Sequence, residues 1–298
     1  MVWLILLFAR ILPLKALHII SRILGGLLYF LSSKRRNIAI NNLRAAFKET
    51  KTEEEIKSIA RQSCNSLFLT FLEIIKSRSL LSKHDAAKRL RDVTEELDKL
   101  FLKAKKAHDG SHGCIFVTPH IGNWEVLPYI SSIVGIPLAV VVRPLDNAYL
   151  ERLVYAQRSE SGQMIIPKSN AMFVLQKTLL KGSSIGLLPD QSTMKGIEVN
   201  FFGRKALTTP VPAILAINYN RPVVVVACCR KPDGQYEGFV SDPIWPEKDK
   251  SEKAEIFRIT EEMNKNMETI IRKYPEQYLW MHNRWKRYKH KKELLAKD

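Results

Sequence analysis

From Cys114 onward, short apolar runs of strand length alternate with segments of helix length. The strand-like runs are Cys114–Thr118, Pro137–Val142, Gln163–Ile166, Ile185–Leu188, Val199–Phe202 and Pro222–Cys229. Helical runs fall between them at Trp124–Val134, Asn147–Ser159, Ala171–Leu180 and Pro212–Asn218. A helix between two strands carries the chain back to the starting edge, so the strands it joins run parallel. This predicts an α/β fold, a mostly parallel mixed sheet flanked by helices. KPDGQ at Lys231–Gln235 is a hairpin turn into an added antiparallel strand, Tyr236–Val240. An amphipathic helix over Lys253–Lys273 closes the domain.

The segment from Lys34 to about Ala107 reads as helices. Ile38, Leu43, Ala46 and Phe47 make a short amphipathic stretch. Thr52 with Glu55 has the form of a capping box and opens a long helix to about Arg78. Ahead of these, Met1–Leu31 is dominated by apolar residues but interrupted by Arg10, Lys15 and Arg22. On a helical wheel Arg10, Lys15, His18, Ser21 and Arg22 fall within an arc of roughly 140°. That is the pattern of a helix lying in a bilayer interface with its cations toward phosphates. A tilted span with snorkelling ends and a buried core helix are the alternatives. Pro13 is expected to kink it. No small-residue cleavage site precedes Lys34–Arg36, so a removed signal peptide is not the reading. The same basic cluster places the following domain on the cytoplasmic side. The expected division is a membrane anchor helix over 1–33 and an α/β domain over 34–298. The latter has a helical first part and a basic, aromatic tail.

The chain of 298 residues carries a formal charge of +17, which calls for an acidic partner. Nucleic acid, an anionic membrane surface or an acidic or phosphorylated substrate would each serve. The four cysteines, Cys64, Cys114, Cys228 and Cys229, form no CxxC pair or disulfide framework. No His/Cys cluster has zinc-ligand spacing, so no metal is expected. No GxSxG elbow, P-loop or GxGxxG occurs, which speaks against serine hydrolase, nucleotidyl and dinucleotide chemistry.

CIFVTPHIGNWEVLP at Cys114–Pro128 carries the chemistry. A buried strand breaks at Pro119, presents His120 and turns through Gly122 and Asn123. It then delivers Glu125 at a helix start. An imidazole after a strand stands at the carboxyl edge of the sheet, where open α/β folds hold ligands. A carboxylate five residues on can fold back across such a turn. His120 and Glu125 are therefore the candidate base and its orienting partner. Arg143 follows another strand and Arg158 lies on the next helix. A guanidinium at that edge suits phosphate or carboxylate, and a surface ion pair is the plainer alternative. Asp190 ends a third strand, where it coordinates, orients or caps. Thr208 and Thr209 are N-cap candidates. In the tail, Tyr278, Trp280, Arg284, Trp285 and Lys286 alternate aromatics with cations. That mixture stacks on bases, rests on a membrane or packs on the sheet.

Together these motifs resemble the late acyltransferases of lipid A synthesis, the lauroyl/myristoyl acyltransferase family of the lysophospholipid acyltransferase-like superfamily. The likeness runs through Arg36-Asn37-Ile38 with Asn42-Leu43 and His120-Ile121-Gly122-Asn123-Trp124-Glu125. It continues through Arg143-Pro144, Arg158 with Gly162, Asp190-Gln191 and Phe201-Phe202-Gly203. It ends in Pro275-Glu276-Gln277-Tyr278 with Trp280, His282, Arg284 and Lys286. A lone H-x4-E is a weak signal, but this ordered set is strong. The resemblance implies a glycerolipid acyltransferase-like fold at the cell inner membrane. It also implies transfer of a fatty acyl group from acyl carrier protein to a hydroxyl of a lipid A precursor; the alternatives are an acyltransferase for another glycolipid or phospholipid acceptor and a non-catalytic basic membrane-binding protein. His120 would be the base and Glu125 its partner, with Arg143, Arg158, Asp190 and Asn123 binding substrate. The implied partners are acyl carrier protein, the lipid A precursor and an anionic membrane. Nucleic acid is not among them, and no cofactor or metal is implied.

Overall fold

The computed structural model describes residues 12–80, 95–142, 164–167, 171–233, 235–286 and 288. The helical first part comprises α1 (Leu14–Leu31), α2 (Ser33–Phe47), α3 (Glu53–Leu80) and α4 (Glu95–Ser111). Helix α1 starts directly after Pro13, a residue tolerated at a helix start because its missing N–H has no partner there anyway. The chain then bends by 95° at Ser32, between α1 and α2. The capping box forms as expected: Thr52 Oγ1 accepts from Glu55 N–H at 3.3 Å, and Glu55 Oε2 accepts from Thr52 N–H at 2.7 Å. Helix α1 packs lengthwise on α3. A Cβ at Gly25 would lie 2.6 Å from the Asn65 backbone, so only glycine permits this approach.

Leu17 of α1 is buried with Leu69 and Leu72 of α3. Its other face leaves Ile19, Ile23, Leu27, Phe30 and Leu31 exposed, with Lys15 and Arg22 also at the surface. Among the described residues no single helix is long and apolar enough to cross a membrane. Helices α1 and α2 meet that test together, as a bent pair.

The sheet is built from β1 (Ile115–Val117), β2 (Leu138–Val142), β3 (Met164–Pro167), β4 (Ser184–Leu187), β7 (Val223–Arg230) and β8 (Tyr236–Val240). Its order is β3-β2-β4-β1-β7-β8, parallel throughout except for β8. The connecting helices are α5 (Val126–Ile133), α6 (Ala171–Leu180), α7 (Val211–Tyr219) and α8 (Glu252–Lys273). Strand β7, VVVVACCR, is buried along nearly its whole length, as a run of β-branched residues between two neighbours should be. One sheet face packs Ile115, Val117, Val223 and Val225 on α7 and α8. The other packs Phe116, Val224 and Val226 under α4.

Two expectations change. Val199–Phe202 does not join the parallel sheet. Instead β5 (Ile197–Phe201) pairs with β6 (Arg204–Thr208) as a separate antiparallel hairpin. Its Glu198 and Asn200 are exposed while Val199 and Phe201 are buried, the alternation of a strand with one dry face. Phe202 and Gly203 both take positive φ, 51° and 72°, which closes a two-residue hairpin loop. Accordingly Thr208 is a strand residue, and Pro210 takes the N-cap position of α7. The aromatic tail meanwhile turns inward. Tyr278 and Trp280 are buried against Phe47, Phe201 and Phe202, and Arg284 is buried too. The helix expected over Asn147–Ser159 lies outside the described residues.

Candidate active site

Strands β1 and β4 are neighbours in register, with Val117 beside Leu187. Each is followed by the same short departure: Thr118-Pro119-His120 after β1, and Leu188-Pro189-Asp190 after β4. Proline breaks each strand at the same register position, two residues past the paired Val117 and Leu187, so the two functional groups emerge at the same height. His120 Nδ1 lies 2.7 Å from Asp190 Oδ1, and the His120 backbone N–H donates to Oδ2 at 2.9 Å. Both carboxylate oxygens thus hold one residue, fixing ring and backbone together. A charge-assisted bond of this kind contributes about 1.5–3 kcal/mol.

Asp190 is 2% exposed and the His120 side chain 18%, so one ring edge reaches the cleft. Burial pushes the imidazole pKa down, but the charge and hydrogen bond of Asp190, with a smaller contribution from Glu125, carry it above the ordinary histidine value. Burial pushes the Asp190 carboxyl up, and His120, aided by Arg284, brings it below the usual carboxylate range. Asp190 therefore stays ionised and accepts from Nδ1–H, which leaves the lone pair on Nε2. Beneath it, burial first and the Asp190 charge second keep the Tyr278 hydroxyl protonated.

The turn after His120 is held largely by distant segments. Leu279 N–H donates to His120 O at 3.0 Å, and Gly122 N–H to Gln277 O at 3.2 Å. Asn123 N–H donates to Cys228 O at 2.9 Å. Thr70 Oγ1 donates to Gly122 O at 2.7 Å. Gly122 has φ 58°, and a Cβ there would sit 2.1 Å from Cys228 O, so no other residue fits. Behind the turn, Arg230 and Glu73 form a buried ion pair. Arg230 also donates to Thr70 Oγ1 at 2.7 Å, and Tyr236 donates to Glu73 at 2.8 Å. The first and last parts of the chain meet here as well. Asn42 Nδ2 donates to the Trp280 and His282 carbonyls, and Ser63 Oγ to the Tyr278 carbonyl.

Three expectations about the site are revised. The orienting partner on Nδ1 is Asp190, which the carboxyl-edge geometry delivers and sequence proximity does not. Glu125 stands at the N-terminal boundary of α5 and acts on His120 through its charge. Asn123 is buried and its Nδ2 donates to Glu73 Oε2 at 2.9 Å and Tyr236 Oη at 3.1 Å, so it braces the turn. Arg143 and Arg158 lie outside the described residues. Sequence reasoning left Glu73, Arg230 and Thr70 unremarked, and a carboxylate and a cation on an otherwise apolar helix face and strand were the available signals.

An apolar pocket opens between the sheet and helices α4 and α5. Trp124 forms its wall nearest the dyad and packs edge-on against His120, with ring centroids 5.3 Å apart. Phe101, Leu138, Val140, Gly186 and Val226 line the remainder. Among the described residues no group of His, Cys, Asp and Glu is placed to hold a metal ion. The arrangement sets the imidazole against one wall of an apolar slot.

A family described as bacterial lipid A biosynthesis acyltransferase matches residues 1–287. A lipid A biosynthesis palmitoleoyltransferase of Escherichia coli is 26% identical over 279 residues, covering 92% of this chain and 86% of that protein. A lipid A biosynthesis acyltransferase of Shigella flexneri matches to the same extent. A phosphatidylinositol mannoside acyltransferase of Mycolicibacterium smegmatis is 25% identical over 185 residues, 60% of this chain and 59% of that one.

Proposed function

Because the chain belongs to the bacterial lipid A biosynthesis acyltransferase family, we propose that it moves a fatty acyl group from acyl carrier protein to a hydroxyl of a lipid A precursor. The observation that carries this reading is the His120–Asp190 pair, with the His120 ring packed on Trp124, a wall residue of the apolar pocket. The acyl chain lies in the pocket, with its thioester carbonyl at the His120 end. Nε2 takes the acceptor hydroxyl's proton as its oxygen attacks the carbonyl carbon. Asp190 holds the imidazole and stabilises it once protonated, and Glu125 adds negative field. The tetrahedral intermediate then expels the carrier thiolate, which takes the proton back from the imidazolium. Trp124 shields the ring from water on one side. Arg143 and Arg158 are the proposed holders of acceptor phosphate or donor phosphopantetheine.

The net charge of +17 favours an acidic carrier protein and an anionic lipid surface. The exposed stripe of α1, with Lys15 and Arg22, supports seating on the cytoplasmic face of the inner membrane. A second reading, transfer to another glycolipid such as a mannosylated phosphoinositide, is supported by the mycobacterial relative.

The test uses the purified full chain with acyl carrier protein thioester and a lipid A precursor. His120→Ala should lose about 10²–10⁴-fold in turnover while staying folded. Near wild-type turnover would sink the mechanism. Mass spectrometry of lipids from cells with and without the gene separates the two acceptors.

A further inference from the structure

Gln191 directly follows Asp190, and its amide nitrogen stands 3.5 Å from His120 Nε2. This is the ring nitrogen that faces away from Asp190 and, in the neutral ring, carries the lone pair. An amide oxygen there would set lone pair against lone pair, so the N–H face is the one Nε2 selects. The contact is too long for a firm hydrogen bond and marks proximity instead. Gln191 is also bracketed by anchored neighbours. Asp190 is tied to His120, while Ser192 N–H donates to His282 Nε2 at 3.2 Å and Ser192 O accepts from Tyr288 Oη at 3.1 Å. Among the described residues, the one polar contact of the Gln191 side chain is with His120.

A separation of 3.5 Å between two nitrogens leaves room for one oxygen within reach of both, about 2.6–3.2 Å from each. A hydroxyl has one proton and two lone pairs. With its proton on Nε2 and one lone pair on the Gln191 N–H, its other lone pair is free for the thioester carbon. We propose that Gln191 is a further catalytic residue, whose amide N–H holds the acceptor hydroxyl oxygen while His120 removes its proton. The hydroxyl proton passes to Nε2, and the new C–O bond forms from the oxygen Gln191 holds. The C–S bond then breaks, and the departing thiolate collects the proton from the imidazolium. Gln191 gains and loses nothing. This rests on the reading of His120 as the base.

The experiment is steady-state kinetics of the full chain in detergent micelles, varying acyl carrier protein thioester and lipid A precursor separately across pH. Gln191→Ala should lower kcat by about 10- to 100-fold, with the donor KM unchanged and thermal unfolding as in the wild type. Gln191→Glu is nearly isosteric and places a carboxylate beside Nε2. It should move the acid limb of kcat/KM to higher pH, an effect that a merely structural side chain would not produce. His120→Ala separates the two ideas. If that variant is inactive while Gln191→Ala keeps kcat within about twofold, well below the loss of one donor, the role of Gln191 is overturned alone. An unmoved acid limb in Gln191→Glu overturns it as well. If His120→Ala is active, the base and its helper fall together.

Discussion

The pocket makes its sharpest prediction at Gly186. This residue sits in β4, opposite Phe116 and Val140 in the sheet, and lines the cavity floor. A Cβ placed on it meets Val140 Cγ2 at 3.5 Å and the Leu138 methyls at 3.6 and 3.7 Å. Those are ordinary contacts with side chains, and its backbone is in a region any residue adopts. Gly186→Val therefore fits the strand, where a β-branched residue is favoured. Its three added carbons project into space that the acyl chain would fill. The chain loses the depth of two or three methylenes, at about 0.8 kcal/mol each, or about 1.6–2.4 kcal/mol. The longest accepted chain should thus fall about 15- to 60-fold in kcat/KM against one shorter by that length. Gly186→Ala should shift the preference about fourfold. A competition among acyl carrier protein thioesters of graded length, read by mass spectrometry of the product, measures this directly. If both variants slow every chain equally, the pocket lies off the acyl path.

Further outcomes follow from the dyad, the buried pair and the surface. Asp190 raises the His120 pKa, so wild-type activity should climb with pH through a limb above the ordinary histidine value. Asp190→Asn should move that limb to lower pH and cut the plateau by about 10²–10⁴-fold; an unmoved limb would show that Asp190 does not set the base. Arg230→Met leaves Glu73 buried without its cation and should destabilise the fold by about 3–5 kcal/mol. Adding Glu73→Gln should recover part of that loss, and denaturant unfolding of single and double variants tests the coupling. Ile19→Lys with Ile23→Lys removes two exposed apolar side chains, each worth about 1.5–3 kcal/mol when covered. Flotation with anionic vesicles should drop, and undiminished flotation would move the contact surface elsewhere.

The parallel sheet is legible because its strands are apolar at nearly every position and helices separate them. The β5–β6 hairpin is less so: Val199–Phe202 is equally apolar at its ends, and only the alternation of Glu198 and Asn200 marks it as half-exposed. His120 is legible from the break at Pro119. Its partner is not, since Glu125 is near in sequence whereas Asp190 is near in register. The signal for Asp190 lies in the matched endings of β1 and β4, each reaching its polar residue one step past a proline. Pairing β1 with β4 has to be known before that symmetry means anything. Asn123 misleads for a related reason, because its partners Glu73 and Tyr236 come from segments 50 residues before it and 113 after it.

The same non-locality explains why the family likeness extends to both ends of the chain. The turn from His120 to Asn123 takes its backbone partners from α3, β7 and the segment after α8. Polar backbone left unpaired in such a buried turn would cost about 1–3 kcal/mol per group, so the turn is stable only when all three segments are docked. The docked state is itself braced: Asn42 fixes the Trp280 and His282 carbonyls, and Ser63 fixes that of Tyr278. Helix α3 carries Thr70 and Glu73 on one side and α1 on another, so the helix with the exposed apolar stripe and the turn bearing the base share one rigid support. Removing α1 uncovers Leu69 and Leu72, the residues directly before Thr70 and Glu73. A truncation lacking α1 would therefore lose more than the proposed membrane contact, because it also weakens the brace that holds His120 against Asp190.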